Sequence, residues 1–441
     1  MMHPSPEHSS ADPLRAKDTQ QSSTPPPLTT AEIIAAGAEL LTPFRADTNS
    51  LYLTRELNEL GIEVVRKTII GDEKERLALA IARGLQENRL VLVTGGLGPT
   101  EDDVTRPAAA RALGVPLVRD PEQEGILRAW FDGRQTTMPE RNLRQAEMLA
   151  GATALPNALG TAPGQYWEKE GRVLVLLPGP PRELQPMWRD QARPRLRERA
   201  PAAGWLHRTL RLGELGESRV DEAAAPIYTQ YSAITTTILT AQPGEIELHL
   251  RAPNVAGRAE QVAELADRLA SALAGHLVSA QGESLERVVI SALAARGQTL
   301  AVAESCTGGM AGERLTRVPG ASQVFNGGII AYTNAVKQEM LGVEKNILER
   351  EGAVSEACVR AMARGARRLH QSDWGLAITG IAGPEGGSRE KPVGTVWLGC
   401  AGPDEVLEVR ARRFHGERER VRQAAVFSAL WLLRQTLNGT M

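Results

Sequence analysis

The segment AESCTGG at residues 303–309 follows the apolar run TLAV, so a hydroxyl and a thiol stand where a buried strand should end. We expect that strand to end before Ser305 and a helix to begin around Gly308. The amides of Thr307, Gly308 and Gly309 would then point toward a substrate carbonyl, as an oxyanion hole requires. An N-cap role explains only one hydroxyl of this turn, so Ser305 is a candidate nucleophile.

A serine nucleophile needs a general base, and the seven histidines form no obvious partner for it. A lysine kept neutral by desolvation is the next option. The stretch GGIIAYTNAVKQEML supplies Tyr332, Asn334 and Lys337 directly after an apolar strand. A lone lysine in such a place is more often a solvated helix residue, so further features must decide between the two interpretations.

Two such features follow along the chain. The stretch ITGIAGPEGG is a glycine-rich loop whose amides could hold a phosphate or ribose. The stretch FHGERERVRQ places Arg418, Arg420 and Arg422 at a helix N-terminus, which is unfavourable for cations unless an anion binds there. The candidate substrate-binding residues of the loop are Thr379, Gly380, Gly383, Gly386 and Gly387.

A separate set of candidates lies in TGGLGPTEDDVT at residues 94–105. Its glycines allow a sharp bend and a close approach of amides to an anion, although the loop is neither a Walker A motif nor GxGxxG. Asp102 and Asp103 could simply favour a first helical turn, but oxygen ligands beside a phosphate loop also suit a divalent metal. The other candidates in this loop are Gly95, Gly96, Gly98, Thr100 and Thr105.

Composition limits the classes of protein that remain. The 441 residues suffice for about three domains at ~150 residues each. Lys and Arg total 51 against 53 Asp and Glu, so no global positive field attracts nucleic acid or an anionic membrane. No apolar run approaches the ~18 residues of a membrane span. Cys306, Cys358 and Cys400 form no CxxC pair, which fits a reducing cytoplasm.

The order of predicted elements indicates an α/β protein with three domains. Residues 1–30 are rich in Pro, Ser and Thr and are predicted to be a disordered tail. From residue 31, runs such as EIIAAG and LVLVTGG alternate with helical periodicity, which predicts parallel α/β layers. Strands in TTTILTA and EIELHLRA followed by a helix predict a small α+β module. The last segment is again α/β and ends in an amphipathic helix, RERVRQAAVFSALWLLRQTL.

The N-terminal motifs GAELL, DTNS, TGGLGPTEDDVT, NALGTAPG and PGPPREL resemble the molybdopterin-binding domain found in competence-damage-inducible CinA proteins. The resemblance implies a functional carboxylate at Asp103. Related enzymes usually carry a basic residue just before it, whereas this chain has Asp102, which favours a metal and the ADP-ribose pyrophosphatase activity attributed to this domain. The further nucleotide-binding residues so implied are Asn49, Asn157, Gly160, Thr161 and Glu183.

The middle module resembles the KH-like domain of the same family and contains a GxxG sequence at residues 213–216. A loop that clamps nucleic acid should be neutral or basic, but Glu214 and Glu217 make this one acidic. We therefore expect a spacer or dimerisation role and no nucleic-acid partner.

The C-terminal motifs AESCTGG, AYTNAVK, TGIAGPEGG and KPVGTVW resemble the C-terminal CinA domain, which is similar to the stand-alone nicotinamide-mononucleotide deamidase. The resemblance implies Ser305 as nucleophile, Lys337 as its base, Tyr332 as substrate support and an arginine of the final helix near the substrate phosphate. Cys306 is the alternative nucleophile, although a small buried thiol is its expected fate.

These observations predict a cytoplasmic, homodimeric hydrolase with a tail over 1–30, a molybdopterin-binding-like domain over 31–198, a KH-like module over 204–280 and a deamidase domain over 285–438. The resemblance implies nicotinamide mononucleotide and, with a divalent metal ion, ADP-ribose as substrates, and no cofactor for the deamidase domain. The alternatives are a molybdopterin-binding protein without N-terminal catalysis and an interaction protein in DNA uptake or recombination. Single-stranded DNA binding with a steep salt dependence would favour the latter.

Overall fold

The structure, a computed structural model, describes residues 26–201 and 204–439. The chain divides into two compact units, Met1–Gly204 and Trp205–Met441. Most of the predicted tail lies outside the described residues, and its last part belongs to the first unit. Leu28 is fully buried, its amide donates to the carbonyl of Arg199, and Thr30 already begins a strand. No helix among the described residues is long and apolar enough to cross a membrane.

The first unit is an α/β layer around one mainly parallel sheet. Its strands are β1 (Thr30–Ala36), β2 (Glu63–Ile70), β3 (Leu90–Thr94), β4 (Leu117–Arg119), β5 (Glu147–Leu149), β6 (Thr153–Leu155), β7 (Gly164–Lys169) and β8 (Arg172–Leu177). Its helices are α1 (Thr48–Glu59), α2 (Lys74–Glu87), α3 (Thr105–Leu113), α4 (Pro121–Asp132), α5 (Pro181–Met187) and α6 (Arg193–Arg199). Shorter helical turns cover Ala38–Leu41, Glu140–Ala146 and Trp188–Ala192.

The large sheet has the order β2-β1-β3-β8-β7-β6, in which β2, β1, β3 and β8 run parallel. Every residue of β3 is buried, as expected for a central strand covered on both faces. One core forms with α1, α5 and α6, and the other forms with α2 and α3. The carboxyl ends of β1, β3 and β8 therefore meet at one edge, where the predicted glycine-rich loops leave the sheet.

The second unit begins with a four-stranded antiparallel sheet in the order β10-β11-β9-β12. These strands are β9 (Trp205–Gly213), β10 (Thr235–Gln242), β11 (Glu245–Pro253) and β12 (Leu277–Ser279). Two helices, α7 (Glu217–Tyr228) and α8 (Arg258–Ala272), cover one face through a core of aliphatic side chains, and a short turn covers Ala274–His276. This arrangement is the small α+β module that the sequence predicts.

A five-stranded sheet in the order β14-β13-β15-β16-β17 forms the rest of the second unit. Its strands are β13 (Leu300–Glu304), β14 (Phe325–Ile330), β15 (Trp374–Gly380), β16 (Thr395–Ala401) and β17 (Leu407–Arg413). Its helices are α9 (Leu285–Ala294), α10 (Met310–Thr316), α11 (Asn334–Glu339), α12 (Lys345–Arg350), α13 (Glu356–Leu369) and α14 (Arg418–Leu437), with a short turn at Ala321–Gln323. Strands β14, β13 and β15 are parallel, and separate cores lie on the two faces. The predicted α/β class is confirmed.

The final helix differs from its prediction. Residues 424–433 of α14 are buried without interruption, so this helix is not amphipathic there. Phe427 and Trp431 explain why, because they reach the other sheet of the unit. A Cβ added to Gly213 would lie 3.0 Å from Trp431, and one added to Gly244 would lie 2.8 Å from Phe427. Helix α14 is thus shared between the two sheets, which the periodicity of an isolated segment cannot indicate.

Replacing Trp431 by alanine should therefore destabilise both sheets together. We expect the free energy of unfolding of the second unit to fall by about 3–5 kcal/mol, the usual cost of removing a buried tryptophan. Hydrogen exchange should accelerate in β9 and β16 alike. Val255→Ala, at a site 50% exposed, is the control and should change stability by less than ~0.5 kcal/mol. Faster exchange in β16 alone would contradict the shared core.

Candidate functional site

Ser305 lies where a central strand ends. It follows β13 directly, and its amide donates to the carbonyl of Ile378 on the neighbouring strand β15 over 2.9 Å. Only 9% of the residue is exposed. The chain turns after Ser305 and enters α10, as the sequence predicts. The serine hydroxyl is therefore held at the carboxyl edge of the sheet on a fixed piece of backbone.

Lys337 lies beside that serine. Helix α11 begins after Thr333, whose side chain accepts a hydrogen bond from the amide of Val336. The Lys337 amine donates to Ser305 Oγ over 3.0 Å and to the carbonyl oxygen of Ala331 over 2.6 Å. The residue is 1% exposed, which excludes the alternative interpretation of a solvated helix lysine. In the described part of the chain no carboxylate pairs with this amine.

Burial lowers the pKa of Lys337 below its ordinary value, because a charged amine loses its hydration there. The direction is the one that a general base requires, since only the neutral amine can accept a proton. Cys306 shows the opposite effect. Burial raises the pKa of its thiol to about 11, so a reactive thiolate is scarce at neutral pH. Ser305 is therefore better placed than Cys306 to act as the nucleophile.

The predicted oxyanion amides are only partly available. The Gly308 amide donates to the carbonyl of Ser305 over 3.2 Å, and the Gly309 amide donates to Glu304 Oε2 over 3.1 Å. These two amides are thus used within the turn, and the geometry does not support their predicted role. Both glycines have positive φ angles, 60° and 98°, which explains their residue type. Among the described residues, the Thr307 amide has no acceptor and Thr307 Oγ1 is buried without a partner.

Glu304 is a site residue that the sequence reasoning missed. Its carboxylate is 1% exposed and accepts hydrogen bonds from the amides of Gly309, Ala311 and Gly312 over 3.0–3.1 Å. These bonds fix the start of α10 relative to the strand that presents Ser305. The available signal was an acidic residue at the end of an otherwise apolar strand, immediately before the small-residue turn.

Two arginines of α14 reach the loops around Ser305. Arg418 donates to the carbonyl of Gly383 over 2.7 Å and to the hydroxyl of Tyr332 over 2.9 Å. Arg422 donates to the carbonyl of Thr307 over 2.8 Å. These contacts bring the serine turn, the tyrosine and the second glycine-rich loop to one end of the final helix. Both guanidinium groups also lie near the positive end of that helix dipole, where a bound anion would be stabilised.

Other predicted residues of this region have contacts within the protein. Thr379 is fully buried and donates to the carbonyl of Ala353 over 2.8 Å, so its hydroxyl is not free for substrate. A Cβ at Gly380 would lie 2.6 Å from Val396, and one at Gly387 would lie 2.8 Å from the amide of Val393. The remaining predicted positions, Asn334 and Gly386, are exposed, and so is Arg420.

The first unit contains a second candidate site at the carboxyl edge of its sheet. A cavity of about 470 Å³ opens there beside the ends of β1, β3 and β8. Eight of the predicted nucleotide- or metal-binding residues line it: Gly95, Gly96, Gly98, Asp102, Asp103, Gly160, Thr161 and Glu183. Asn49 lines an adjoining cavity of about 320 Å³, which shares Gly95 and Gly179 with the first.

The other predicted residues support the loops behind this cavity. The Thr100 amide and hydroxyl both donate to Asp103 Oδ2, over 2.9 and 2.5 Å. Thr105 is buried and donates to the carbonyl of Gly95 over 2.8 Å. The Asn157 side-chain amide donates to Glu183 Oε2 and to the carbonyl of Ala162, over 2.9 Å each. We conclude that Thr100, Thr105 and Asn157 position this site and do not themselves line it.

Arg106 was also missed by the sequence reasoning. It is 2% exposed and donates to the carbonyls of Leu97 and Gly98 over 2.7 and 2.8 Å. Burial lowers the pKa of Arg106 to about 10, which still leaves it charged at neutral pH. The charged Arg106 guanidinium therefore fixes the glycine-rich loop through hydrogen bonds to two of its carbonyl groups.

The carboxylates at this cavity could hold a metal ion only if a bound small molecule supplied further oxygen atoms. No group of three or more His, Cys, Asp or Glu residues in the described part of the chain could hold a metal. Asp102 is exposed and Asp103 is half-buried with one oxygen engaged by Thr100. Mg²⁺ is commonly held by one or two carboxylates plus substrate phosphates. Asp102 and Asp103 could supply the two carboxylates of that pattern if a phosphorylated ligand supplied the other oxygen atoms.

Both candidate sites lie in segments of the chain that match models of known protein families. Residues 32–198 match the model of a probable molybdopterin binding domain, and residues 282–437 match the CinA C-terminal domain. A CinA-like protein of Koribacter versatilis is 47% identical over 416 residues, which cover 92% of this chain and 99% of that protein. A putative competence-damage inducible protein of Moorella thermoacetica is 43% identical, with 93% and 99% covered. The crystal structure of competence/damage inducible protein CihA from Agrobacterium tumefaciens shares 39% identity, covering 35% of this chain and 93% of that one, with a TM-score of 0.34.

The buried amine generates a stability prediction. Lys337→Met removes a group whose pKa is lower in the folded state than the ~10.4 of an unfolded lysine. Between the two pKa values the unfolded wild-type chain binds more protons than the folded one. The free energy of unfolding of wild type therefore falls as the pH drops from about 10.4 to the folded pKa. The variant should therefore be increasingly more stable than wild type over that window, by about 1.4 kcal/mol for each unit of pKa lowering.

Denaturant unfolding of both proteins at several pH values measures this difference. Lys345→Met, at an exposed position, is the matched control and should show no such divergence. Curves for Lys337→Met and wild type that stay parallel from pH 10.5 to pH 7 would show that the pKa of Lys337 is not lowered.

Proposed function

This chain belongs to the CinA family, and from that premise we propose that it is a bifunctional hydrolase whose C-terminal site converts nicotinamide mononucleotide to nicotinic acid mononucleotide and ammonia. One observation carries the proposal. The amine of Lys337 lies 3.0 Å from Ser305 Oγ, and both residues are buried. A buried lysine with no carboxylate partner in the described chain does little to stabilise the fold. A neutral amine beside a hydroxyl can instead act as the general base that activates the hydroxyl as a nucleophile.

In the first half-reaction Ser305 Oγ attacks the carboxamide carbon and its proton passes to the neutral amine of Lys337. The carbonyl oxygen becomes an oxyanion, for which the Thr307 amide is the available donor in the turn. The tetrahedral adduct then breaks its carbon–nitrogen bond. Lys337 returns the proton to the leaving nitrogen, so ammonia departs and an acyl-serine ester remains.

In the second half-reaction water replaces ammonia. The neutral Lys337 amine takes a proton from the water as the hydroxide oxygen attacks the ester carbon. The carbon–oxygen bond to Ser305 breaks, and Lys337 returns the proton to the serine oxygen. The product is a carboxylic acid that ionises in solution, and the enzyme is restored to its starting protonation state.

The phosphate group of the proposed substrate also has a candidate binding site. Nicotinamide mononucleotide carries a phosphate on its ribose, at a distance from the carboxamide. Arg418 lies at the start of the 20-residue helix α14 and contacts both Tyr332 and the Gly383 loop. We assign the phosphate to this arginine and the helix start, because charge-assisted bonds and the helix dipole both favour an anion there.

For the first unit we propose metal-dependent cleavage of ADP-ribose. A cavity of about 470 Å³ lined by glycine-rich loops has the size for a nucleotide and the amides for a pyrophosphate. Asp102 and Asp103 would hold a divalent ion, which when bound polarises the phosphoryl oxygen. Thr100 orients the Asp103 carboxylate through two hydrogen bonds, and Arg106 holds the loop. Both proposed substrates are products of NAD breakdown.

Ammonia release from nicotinamide mononucleotide by the full-length protein tests the deamidase. Ser305→Ala should lower kcat by about three orders of magnitude or more, since the acyl acceptor is gone. Cys306→Ser is the matched control on the same turn and should keep most of the activity. A fully active Ser305→Ala protein, or inactivation by Cys306→Ser alone, would overturn the assignment of the nucleophile.

Lys337→Arg separates a base from a simple cation. Arginine keeps the charge but cannot accept a proton at any workable pH. We expect Lys337→Arg to lose kcat nearly as severely as Lys337→Ala, and wild-type kcat/KM to rise with pH through the lowered lysine pKa. If Lys337 only attracts phosphate, arginine should substitute well and the loss should appear mainly in KM.

Asp102→Asn and Asp103→Asn should each impair metal-dependent ADP-ribose cleavage by weakening metal binding, while deamidation stays at the wild-type rate. Glu101→Gln is the control, since Glu101 is 97% exposed at its side chain and does not line the cavity. An unchanged cleavage rate and metal dependence in the double variant Asp102→Asn/Asp103→Asn would refute the pyrophosphatase proposal.

Single-stranded DNA binding with a steep salt dependence would instead favour the alternative of an interaction protein in DNA uptake or recombination.

A further inference from the structure

Gln145 lies in the wall of the cavity of about 470 Å³ in the first unit, and neither the sequence nor the proposed metal site assigns it a function. It is 2% exposed and belongs to the helical turn Glu140–Ala146. Asn142 Nδ2 donates to Gln145 Oε1 over 3.1 Å, and Gln145 Nε2 donates to Thr161 Oγ1 over 2.9 Å. The buried amide is thus held at one end and contacts a threonine hydroxyl at the other.

This contact determines which way the Thr161 hydroxyl can act. A hydroxyl carries one hydrogen and two lone pairs. Because one lone pair of Thr161 Oγ1 accepts from Gln145, the hydroxyl hydrogen points elsewhere, and no described residue accepts it. Thr161 is half-buried and lines the same cavity. Its hydroxyl is therefore a hydrogen-bond donor available to a ligand.

An acceptor lies next to this donor. Glu183 also lines the cavity, and its carboxylate packs on the residue before Thr161, since a Cβ added to Gly160 would lie 2.1 Å from Glu183 Oε2. Oε2 accepts from Asn157. Oε1 remains accessible and accepts no hydrogen bond in the described chain; Arg182 Nε is 3.9 Å away, too far for one. The Glu183 carboxylate therefore offers a free acceptor.

A donor beside an anionic acceptor selects a ligand group that both accepts and donates. A phosphoryl oxygen can only accept, and the Glu183 carboxylate would repel its charge. We infer that Thr161 and Glu183 bind one ribose hydroxyl of the substrate, which accepts from Thr161 and donates to Glu183. Gln145 is the positioning residue that keeps the Thr161 hydroxyl a donor. This inference rests on the proposed binding of ADP-ribose in the cavity.

Equilibrium dialysis of the full-length protein against radiolabelled ADP-ribose tests the inference, with EDTA present to prevent metal-dependent cleavage. Thr161→Val keeps the side-chain shape and should raise Kd about tenfold, as expected for one lost hydrogen bond. Gln145→Met should raise Kd several-fold, because the hydroxyl is no longer oriented. The double variant Gln145→Met/Thr161→Val should bind no more weakly than Thr161→Val, since Gln145 acts only through that hydroxyl. Effects that multiply would show a merely structural role for Gln145.

Glu183→Gln distinguishes a ribose hydroxyl from a phosphoryl oxygen. The glutamine oxygen can still accept from Asn157, which puts the NH₂ group in place of Oε1. A bound hydroxyl then loses its acceptor, so Kd should rise. A bound phosphoryl oxygen would instead lose a repulsion, and a fall in Kd would overturn the inference. Glu183→Gln and Thr161→Val leave the Asn142–Gln145 bond in place, so they test the site even if Gln145→Met does not fold.

Gln86→Met is the matched control, because Gln86 is exposed on α2 and lines neither of the two adjoining cavities. Its Kd should equal that of wild type. Equal affinities of wild type, Thr161→Val and Gln145→Met would overturn the inference, and so would a wild type that does not bind ADP-ribose. Binding with the expected pattern of variants but no cleavage after a divalent ion is added would contradict only the pyrophosphatase proposal.

Discussion

The proposed chemistry of the second unit depends on one uncommon condition, a lysine amine buried against a serine hydroxyl without a carboxylate partner in the described chain. Most buried lysines are paired, because an unpaired charge in the interior is strongly unfavourable. Here the amine has only oxygen acceptors, Ser305 Oγ and the carbonyl of Ala331. Burial therefore lowers the pKa of this amine below its ordinary value. The fold has to hold Lys337 in this environment, and the stability of β13, β14 and α11 is what opposes its hydration.

Glu304 explains why that amine stays unpaired although an acid precedes Ser305 directly. Three amides from the start of α10 already satisfy the Glu304 carboxylate. Those three donors occupy the acceptor sites of the carboxylate, so it has no need of the lysine as a partner. The two buried ionisable groups beside Ser305 thus have separate contacts. Glu304 binds the backbone at the start of α10, and Lys337 contacts Ser305 Oγ and the carbonyl of Ala331.

The glycine-rich loops around both sites show how far packing alone determines residue type. A Cβ at Gly95 would lie 2.2 Å from the carbonyl of Ala36, and one at Gly98 would lie 2.3 Å from Asp103. Gly380 and Gly387 are similarly restricted by their neighbours. Glycine at these positions is required by the protein's own close contacts. The amides that could serve a ligand must be identified from their hydrogen bonds, which is how Thr307 is distinguished from Gly308 and Gly309.

The sequence by itself determined the α/β class, most strand and helix positions and the candidacy of Ser305, because hydrophobic periodicity and strand-to-helix turns are local properties. It offered Lys337 as one option for a base, and the resemblance to the CinA C-terminal domain implied that role. Tertiary structure alone decided the rest. The 3.0 Å approach of Lys337 to Ser305 joins residues 32 positions apart, and periodicity carries no information on such a contact. The unbroken burial of α14 depends on a second sheet that covers it. Glu304 and Arg106 were missed for the same reason: a buried charge is identified by the partners that surround it, and those partners come together only when the chain folds.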